Sequence, residues 1–323
     1  MPDVLFVCEG DRVHGMGHVV RCLTLERFLS ERGIGVEFAT PAMTPGWNRV
    51  LGAPYPIHDL RSDRVLDMPR CDAVILDLEN GPTRNQLEAV RPWYRHVITL
   101  GGGGYRIAEP EAINRLVDLQ VYQSVLTDSL NGANVLRGTE WLIINPEYAA
   151  CQPDYTSGHV VVTMGGSDPH NLTGKAIDLL ARIGRRVKVV IGPAAQMLRD
   201  TVVPLTTDVV VAPDSLGWFF DGAALTVCAL GMTAYESLAA GVPVILTNWT
   251  ADHERTALEL ERRGIAWNTG TWDQFETSNL RERVTLLLDD PGLLRRMGEK
   301  GRKLVDGKGA GRVAEEICKL ITA

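Results

Sequence analysis

The chain has no surplus of positive charge. Its 33 Lys and Arg stand against 40 Asp and Glu, a formal net charge of −7. Nonspecific nucleic-acid binding rests on a basic surface, so that class is excluded. Cysteine is sparse and scattered: Cys8, Cys22, Cys71, Cys151, Cys228 and Cys318 form neither metal-type pairs nor a dense framework. Most lie in apolar surroundings, which predicts buried free thiols in a reducing cytosol. No apolar run approaches the length of a membrane span, and residues 1–8 are too short for a secretory leader. A cytoplasmic protein without a membrane span is expected. No repeat of solenoid period is present. No acid or histidine cluster has ligand spacing, so neither a metal nor a cofactor is expected. Gly15-x-Gly17 is half of a dinucleotide fingerprint, but the third glycine is missing and no acid closes the second strand, which excludes NAD.

What is present is a repeated α/β pattern. At 323 residues, two domains are expected. Residues 1–150 form one and residues 151–323 the other, and the final helix, residues 310–321, is a candidate to cross back to the first. Short apolar runs at 4–8, 36–39, 73–77, 96–100 and 119–122 predict parallel strands of the first half. Runs at 159–164, 187–191, 208–212, 223–228 and 242–246 predict those of the second. Helices are predicted at 19–32, 171–183, 233–240 and 252–263, with further ones starting near 278 and 292.

The most informative stretch is 228–246, which reads as strand end, glycine turn, short helix and next strand. Gly231 is expected to make a tight turn. The N-terminus of the following helix then lies outside a strand's carboxyl end, where open α/β sheets bind ligands and where helix N–H groups favour phosphate. Glu236 in this helix suits the two hydroxyls of a ribose. Thr233-x-x-Glu236 equally fits a capping box. In the first half, His18 stands where the loop after the first strand enters a helix, three residues before Arg21. The positive helix end favours a neutral imidazole, which can act as a base, although a packing histidine fits the same position. His14 is a weaker candidate in mid-loop. Asp77 closes its strand as either a ligand-facing acid or a loop cap. The four-glycine run at 101–104 reads as ligand-adjacent or as a mobile lid. Gly165-Gly166-Ser167-Asp168 is a phosphate cradle or an ordinary turn whose Ser167 or Asp168 caps a helix.

Two such halves, each opening on a glycine turn, resemble the GT-B architecture of nucleotide-sugar enzymes. Gly15-Met16-Gly17-His18, followed by Arg21-Cys22-Leu23, resembles the opening motif of the UDP-sugar hydrolases of pseudaminic acid biosynthesis. Thr163-Met164-Gly165-Gly166-Ser167-Asp168-Pro169 with Asn171-Leu172-Thr173 is similar to a second motif of that family. Gly231-x-Thr233-x-x-Glu236 and Ala240-Gly241-Val242-Pro243 look like the uridine site shared with the peptidoglycan N-acetylglucosaminyltransferase. The spore-coat polysaccharide proteins are related to the same group. The resemblance implies two Rossmann-type domains with parallel sheets facing a cleft, and hydrolysis of a UDP-activated amino or deoxy sugar without metal. It implies His18 as the base that activates water, with Gly17 and Arg21 beside the substrate. Gly165, Gly166 and Ser167 line the opposite side; Gly231, Met232 and Thr233 offer N–H groups to phosphate; Glu236 holds the ribose. Asp252 and His253 stand where relatives carry an amide pair and face the sugar or diphosphate. Two other readings keep the same site: a glycosyltransferase in which His18 activates an acceptor hydroxyl, and a nucleotide-sugar binding protein without catalysis.

Overall fold

The computed structural model describes residues 3–11, 13–60, 68–78, 81–102, 115–126, 132, 134–195 and 207–322. The chain divides into two compact units, Met1–Ile144 with Lys308–Ala323, and Asn145–Gly307.

The first unit is built on seven strands: β1 (Val4–Cys8), β2 (Val36–Thr40), β3 (Ile57–Asp59), β4 (Ala73–Asp77), β5 (His96–Gly102), β6 (Leu119–Gln123) and β7 (Val135–Arg137). They lie in the order β3-β2-β1-β4-β5-β6-β7, and every pair is parallel. Among the described residues, helices α1 (Gly17–Ser30), α2 (Pro45–Val50) and α3 (Arg84–Val90) join them. All five residues of β1 and of β4 are buried, as strands covered on both faces should be. Side chains of β1 alternate between two cores. Val4, Phe6 and Cys8 pack with α1, while Leu5 and Val7 pack with Leu87 and Val90 of α3. The chain runs outward from β1 through β2 to β3, then returns to β4. The order therefore reverses between β1 and β4, the kind of crevice that holds ligands in doubly wound sheets.

The second unit repeats the plan with β8 (His159–Thr163), β9 (Val187–Ile191), β10 (Thr207–Val211), β11 (Ala223–Ala229), β12 (Val244–Asn248) and β13 (Ala266–Thr271). Their order is β10-β9-β8-β11-β12-β13, again all parallel. Helices α4 (Leu172–Leu180), α5 (Gly217–Phe220), α6 (Met232–Ala239), α7 (Ala251–Arg262), α8 (Leu280–Leu288) and α9 (Pro291–Leu304) connect and cover it. Here the order reverses between β8 and β11. The last helix, α10 (Gly309–Thr322), belongs to the first unit, where Ala310, Val313, Ala314 and Ile317 join the core shared with α1.

Three strands escape the periodicity argument. β3 and β7 are three-residue strands at the two edges of their sheet, only partly buried. β13 reads Ala-Trp-Asn-Thr-Gly-Thr, a sequence with glycine and asparagine inside it. Its ladder with β12 is reinforced by a side chain: Asn248 Nδ2 donates to Asn268 Oδ1 and to the Gly270 carbonyl, both at 2.8 Å. Of the glycine run, Gly101 and Gly102 finish β5, while residues 103–104 lie outside the described residues. Among the described residues no helix is long and apolar enough to cross a membrane.

Ile317 is fully buried between α10 and the first sheet's core. Ile317→Ala is expected to cost about 2–4 kcal/mol. Urea unfolding measures this, and a loss below 1 kcal/mol would mean that α10 only rests on the surface.

Candidate functional site

Two groups of residues stand out, one at the strand-order reversal of each unit. In the first, α1 opens right after the loop that leaves β1, and Asp77 ends the neighbouring β4. The register pairs Cys8 with Asp77, so the two strand ends lie side by side. α1 starts at Gly17, two residues earlier than its apolar periodicity suggests, so Gly17 and His18 are helical. His18 and Arg21, three apart, share one helix face and both reach Asp77.

Asp77 is fully buried, and its partners among the described residues are all side chains. Its Oδ1 accepts from His18 Nδ1 at 2.7 Å and from the Arg21 guanidinium. Its Oδ2 accepts from Arg21 Nε at 2.5 Å and from the Cys22 thiol at 3.4 Å. Four donors thus satisfy the carboxylate on both oxygens. Burial by itself would raise the Asp77 pKa, but the Arg21 charge and the hydrogen bonds from Arg21 and His18 outweigh it and hold the acid well below the usual range. Arg21 Nη2 also lies 3.0 Å from His18 Nδ1. A nitrogen 2.7 Å from an ionised carboxylate oxygen must carry a proton, so Nδ1–H donates to Asp77. That tautomer leaves Nε2 as an acceptor. The His18 side chain is 15% exposed, against none of Asp77. His18 is therefore an oriented imidazole with one basic nitrogen free of the Asp77 contact, the arrangement of a general base and its orienting acid. His14 is engaged otherwise: Asp11 accepts from its backbone N–H and contacts its Nδ1 at 2.8 Å, holding a turn in the loop.

In the second unit the predicted residues fall on the loops after β8, β11 and β12, three neighbouring strands. After β8, Gly165 has a φ of +80°, a left-handed conformation that favours glycine. Gly192 packs so closely that any side chain there would strike the carbonyls of Gly165 and Gly166. Asp168 is the helix cap, since its carboxylate accepts from Leu172 N at 2.8 Å and Thr173 N at 2.9 Å. Ser167 is left partly exposed on the turn.

After β11, the geometry corrects two expectations. Gly231 has a φ of 175°, extended backbone that any residue adopts, so no tight turn demands glycine here. A Cβ added at Gly231 would also meet nothing within 4 Å. The capping box is absent as well. α6 begins at Met232 with Gly231 as its N-cap, so Thr233 is already helical and makes no cap hydrogen bond. Gly231, Met232 and Thr233 lie at the helix start, where N–H groups have no carbonyl one turn earlier. Glu236 sits one turn further in and is 5% exposed. Burial and the like charge of Glu147 push its pKa up to about 7, against a hydrogen bond from the Thr233 hydroxyl. Glu147, next to Pro146 at the start of this unit, accepts from the Ser215 hydroxyl. Nothing in its local sequence pointed to a place beside Glu236.

After β12, Thr250 caps α7 by accepting from His253 N at 3.2 Å. Asp252 lies 3.7 Å from Arg255. Burial lowers the His253 pKa despite Asp252, and its Nδ1 is buried without a partner among the described residues. No group of three or more His, Cys, Asp or Glu suited to a metal occurs among the described residues.

No protein-family model matches the chain. The spore coat polysaccharide biosynthesis protein SpsG of Bacillus subtilis (strain 168) is 22% identical over 325 residues, 94% of either chain. The calicheamicin glycosyltransferase CalG4 superposes with a TM-score of 0.65 at 17% identity, over 98% of this chain and 97% of that one. Phytolacca americana UGT2, complexed with UDP-2-fluoro-glucose and pterostilbene, gives 0.67 at 13% identity over the whole of both chains. The fold is thus that of the GT-B glycosyltransferases. The likeness to the pseudaminic acid hydrolases rests on the sequence motifs alone.

The two readings of Glu236 differ in their effect on stability. A carboxyl whose folded pKa is raised from 4.5 to about 7 contributes stability below pH 4.5 that is lost as pH rises through 7. Glu236→Gln should therefore match the wild type near pH 4.5 and exceed it by about 3 kcal/mol at pH 8. Denaturant unfolding at both values decides; a variant less stable at every pH would restore a structural role for the acid.

Proposed function

We propose that the protein transfers a glycosyl group from a nucleoside diphosphate sugar to an acceptor hydroxyl, in the assembly of a surface polysaccharide. The observation that carries the reading is the His18–Asp77 pair: a buried acid that fixes the tautomer of a partly exposed imidazole at a sheet's strand-order reversal. Glycosyl transfer needs such a base. His18 Nε2 takes the acceptor's proton as the acceptor oxygen bonds to the anomeric carbon. The bond from that carbon to the diphosphate oxygen breaks, and its electron pair leaves with the diphosphate.

The second unit suits the nucleotide. The N–H groups of Gly231, Met232 and Thr233, with the positive end of α6, match a diphosphate whose charge grows during departure. The space beside Gly231 admits a close approach by such a group. The Glu236 carboxylate, buried with no cation beside it among the described residues, matches two ribose hydroxyls as donors. Gly165, Gly166 and Ser167 present a turn on the adjacent strand, and Asp252 and His253 stand at the next helix start. The likeness to a spore coat polysaccharide protein and to glycosyltransferases supports transfer over the hydrolysis that the motifs suggested. The donor is best read as a UDP-sugar, the ligand class present in the Phytolacca americana structure.

His18→Asn keeps a side-chain nitrogen close to Asp77 but removes the base. Turnover should fall at least ~100-fold while UDP affinity stays within a few-fold. Product release measured with and without acceptor alcohols settles the class: release that needs no acceptor would make the protein a hydrolase. Retention of a tenth of the wild-type rate would remove His18 from the chemistry.

Protonation of Glu236 should also gate binding. UDP affinity is expected to fall about tenfold per pH unit below 7 and to level off above it. Titration calorimetry from pH 5.5 to 8.5 measures the slope. The same slope in Glu236→Gln would place the effect elsewhere.

A further inference from the structure

Three aromatic rings from three separate loops meet at the carboxyl edge of the second sheet. His170 follows the glycine turn after β8, Trp249 follows β12, and Trp272 follows β13. The His170 and Trp272 rings stack face to face, with centroids 3.7 Å apart and planes 2° from parallel. Trp249 stands 5.6 Å from His170, tilted by 40°. The imidazole thus sits between two indoles.

This trio differs from the other exposed tryptophans. Trp93 is covered by the Arg70 guanidinium and Trp218 by the Lys188 ammonium, ordinary surface arrangements. Trp272 instead is 38% exposed, and its one described ring partner is the imidazole. Strand alternation places Ile245 and Thr247 on one face of β12, and Trp249 follows the strand directly. Ile245 belongs to the second unit's core and Trp249 packs against it. Thr247 on that face is buried, and its hydroxyl has no hydrogen-bond partner among the described residues. A buried polar atom without a partner at a ligand-binding edge calls for an explanation.

We propose that Trp272, backed by His170 and Trp249, is a stacking subsite for the pyranose ring of the nucleotide sugar. The inference rests on the reading of the second unit as the nucleotide holder. The same sheet edge carries Gly231, Thr233 and Glu236, so a diphosphate at the start of α6 leaves its sugar among the neighbouring loops. One face of a pyranose presents C–H bonds, which suit an indole, while its edge carries hydroxyls. Trp272 supplies the flat apolar surface. His170 holds that ring in place and ties the glycine turn to it.

The test compares UDP, UDP-glucose and UDP-N-acetylglucosamine by calorimetry on the full-length wild type, Trp272→Ala, Trp272→Phe and His170→Ala. Trp272→Ala should weaken binding of at least one sugar nucleotide about tenfold while UDP affinity stays within twofold, and Trp272→Phe should restore most of the loss. His170→Ala should show the same selective loss to a smaller degree. An equal loss for UDP and the sugar nucleotides would make the trio a brace for the glycine turn and overturn the subsite. Unchanged affinities for all three ligands would overturn it too. A wild type that binds UDP but gains nothing from any sugar defeats this inference alone, whereas one that binds neither UDP nor sugar nucleotide removes the nucleotide reading beneath it.

Discussion

A carboxylate without water around it must be surrounded by donors, and Asp77 meets that demand in a way that organises the first unit. Removing a partner from such a buried pair leaves a bare charge, at a cost of several kcal/mol. The partners must therefore stand where Asp77 can reach them. Arg21 and His18 do so because they are three residues apart on α1 and face the end of β4. The same contacts fix the rotation of α1 about its axis. That rotation sends Val19, Cys22, Leu25 and Leu29 into the core, where α10 closes over them. One electrostatic requirement thus sets the helix, the core behind it and the direction of the imidazole.

Glu236 is the opposite case. It is nearly as buried as Asp77, yet a carboxylate, Glu147, stands near it and among the described residues no cation relieves it. The fold tolerates this only because the acid is readily protonated around neutral pH. An acid compensated by its own protein stabilises the fold; an acid left uncompensated is free to receive donors from outside. On the reading proposed above, the contrast separates the two units by role: the first carries a base oriented before anything binds, a condition for efficient proton transfer, and the second an acid whose charge a ligand would complete.

The strands were legible because parallel strands buried on both faces read as short apolar runs; β1, β4 and β11 are buried at every residue. β3 and β7 were not, since edge strands of three half-exposed residues leave no such signal. β13 was hidden by its glycine and asparagine, whose hydrogen bonds exist only after folding. His18 and Glu236 could be singled out from their positions at helix starts. The role of Asp77 could not: 59 residues separate it from His18, and a strand-ending acid says nothing of its partners. Gly231 misled for a related reason. A glycine after a strand suggests a backbone turn, but an extended φ and free space around the Cβ position show that the fold makes no such demand.

That last point bears on how the second site is built. At Gly165 the fold itself favours glycine because φ is positive, and at Gly192 because a Cβ would strike the carbonyls of Gly165 and Gly166. At Gly231 nothing inside the protein does, so the absence of a side chain matters for what approaches from outside. The same logic applies to Thr247, whose buried hydroxyl has no partner among the described residues, and to Trp272, whose ring no cation among them covers. Each departs from what stability alone would select, and each lies on the carboxyl edge of one parallel sheet. On the reading proposed above, that edge is completed by a ligand. On that same reading, the order of the loops along the edge, a helix start for phosphate, an acid for ribose and aromatic rings for a pyranose, would follow the order of groups in a nucleotide sugar.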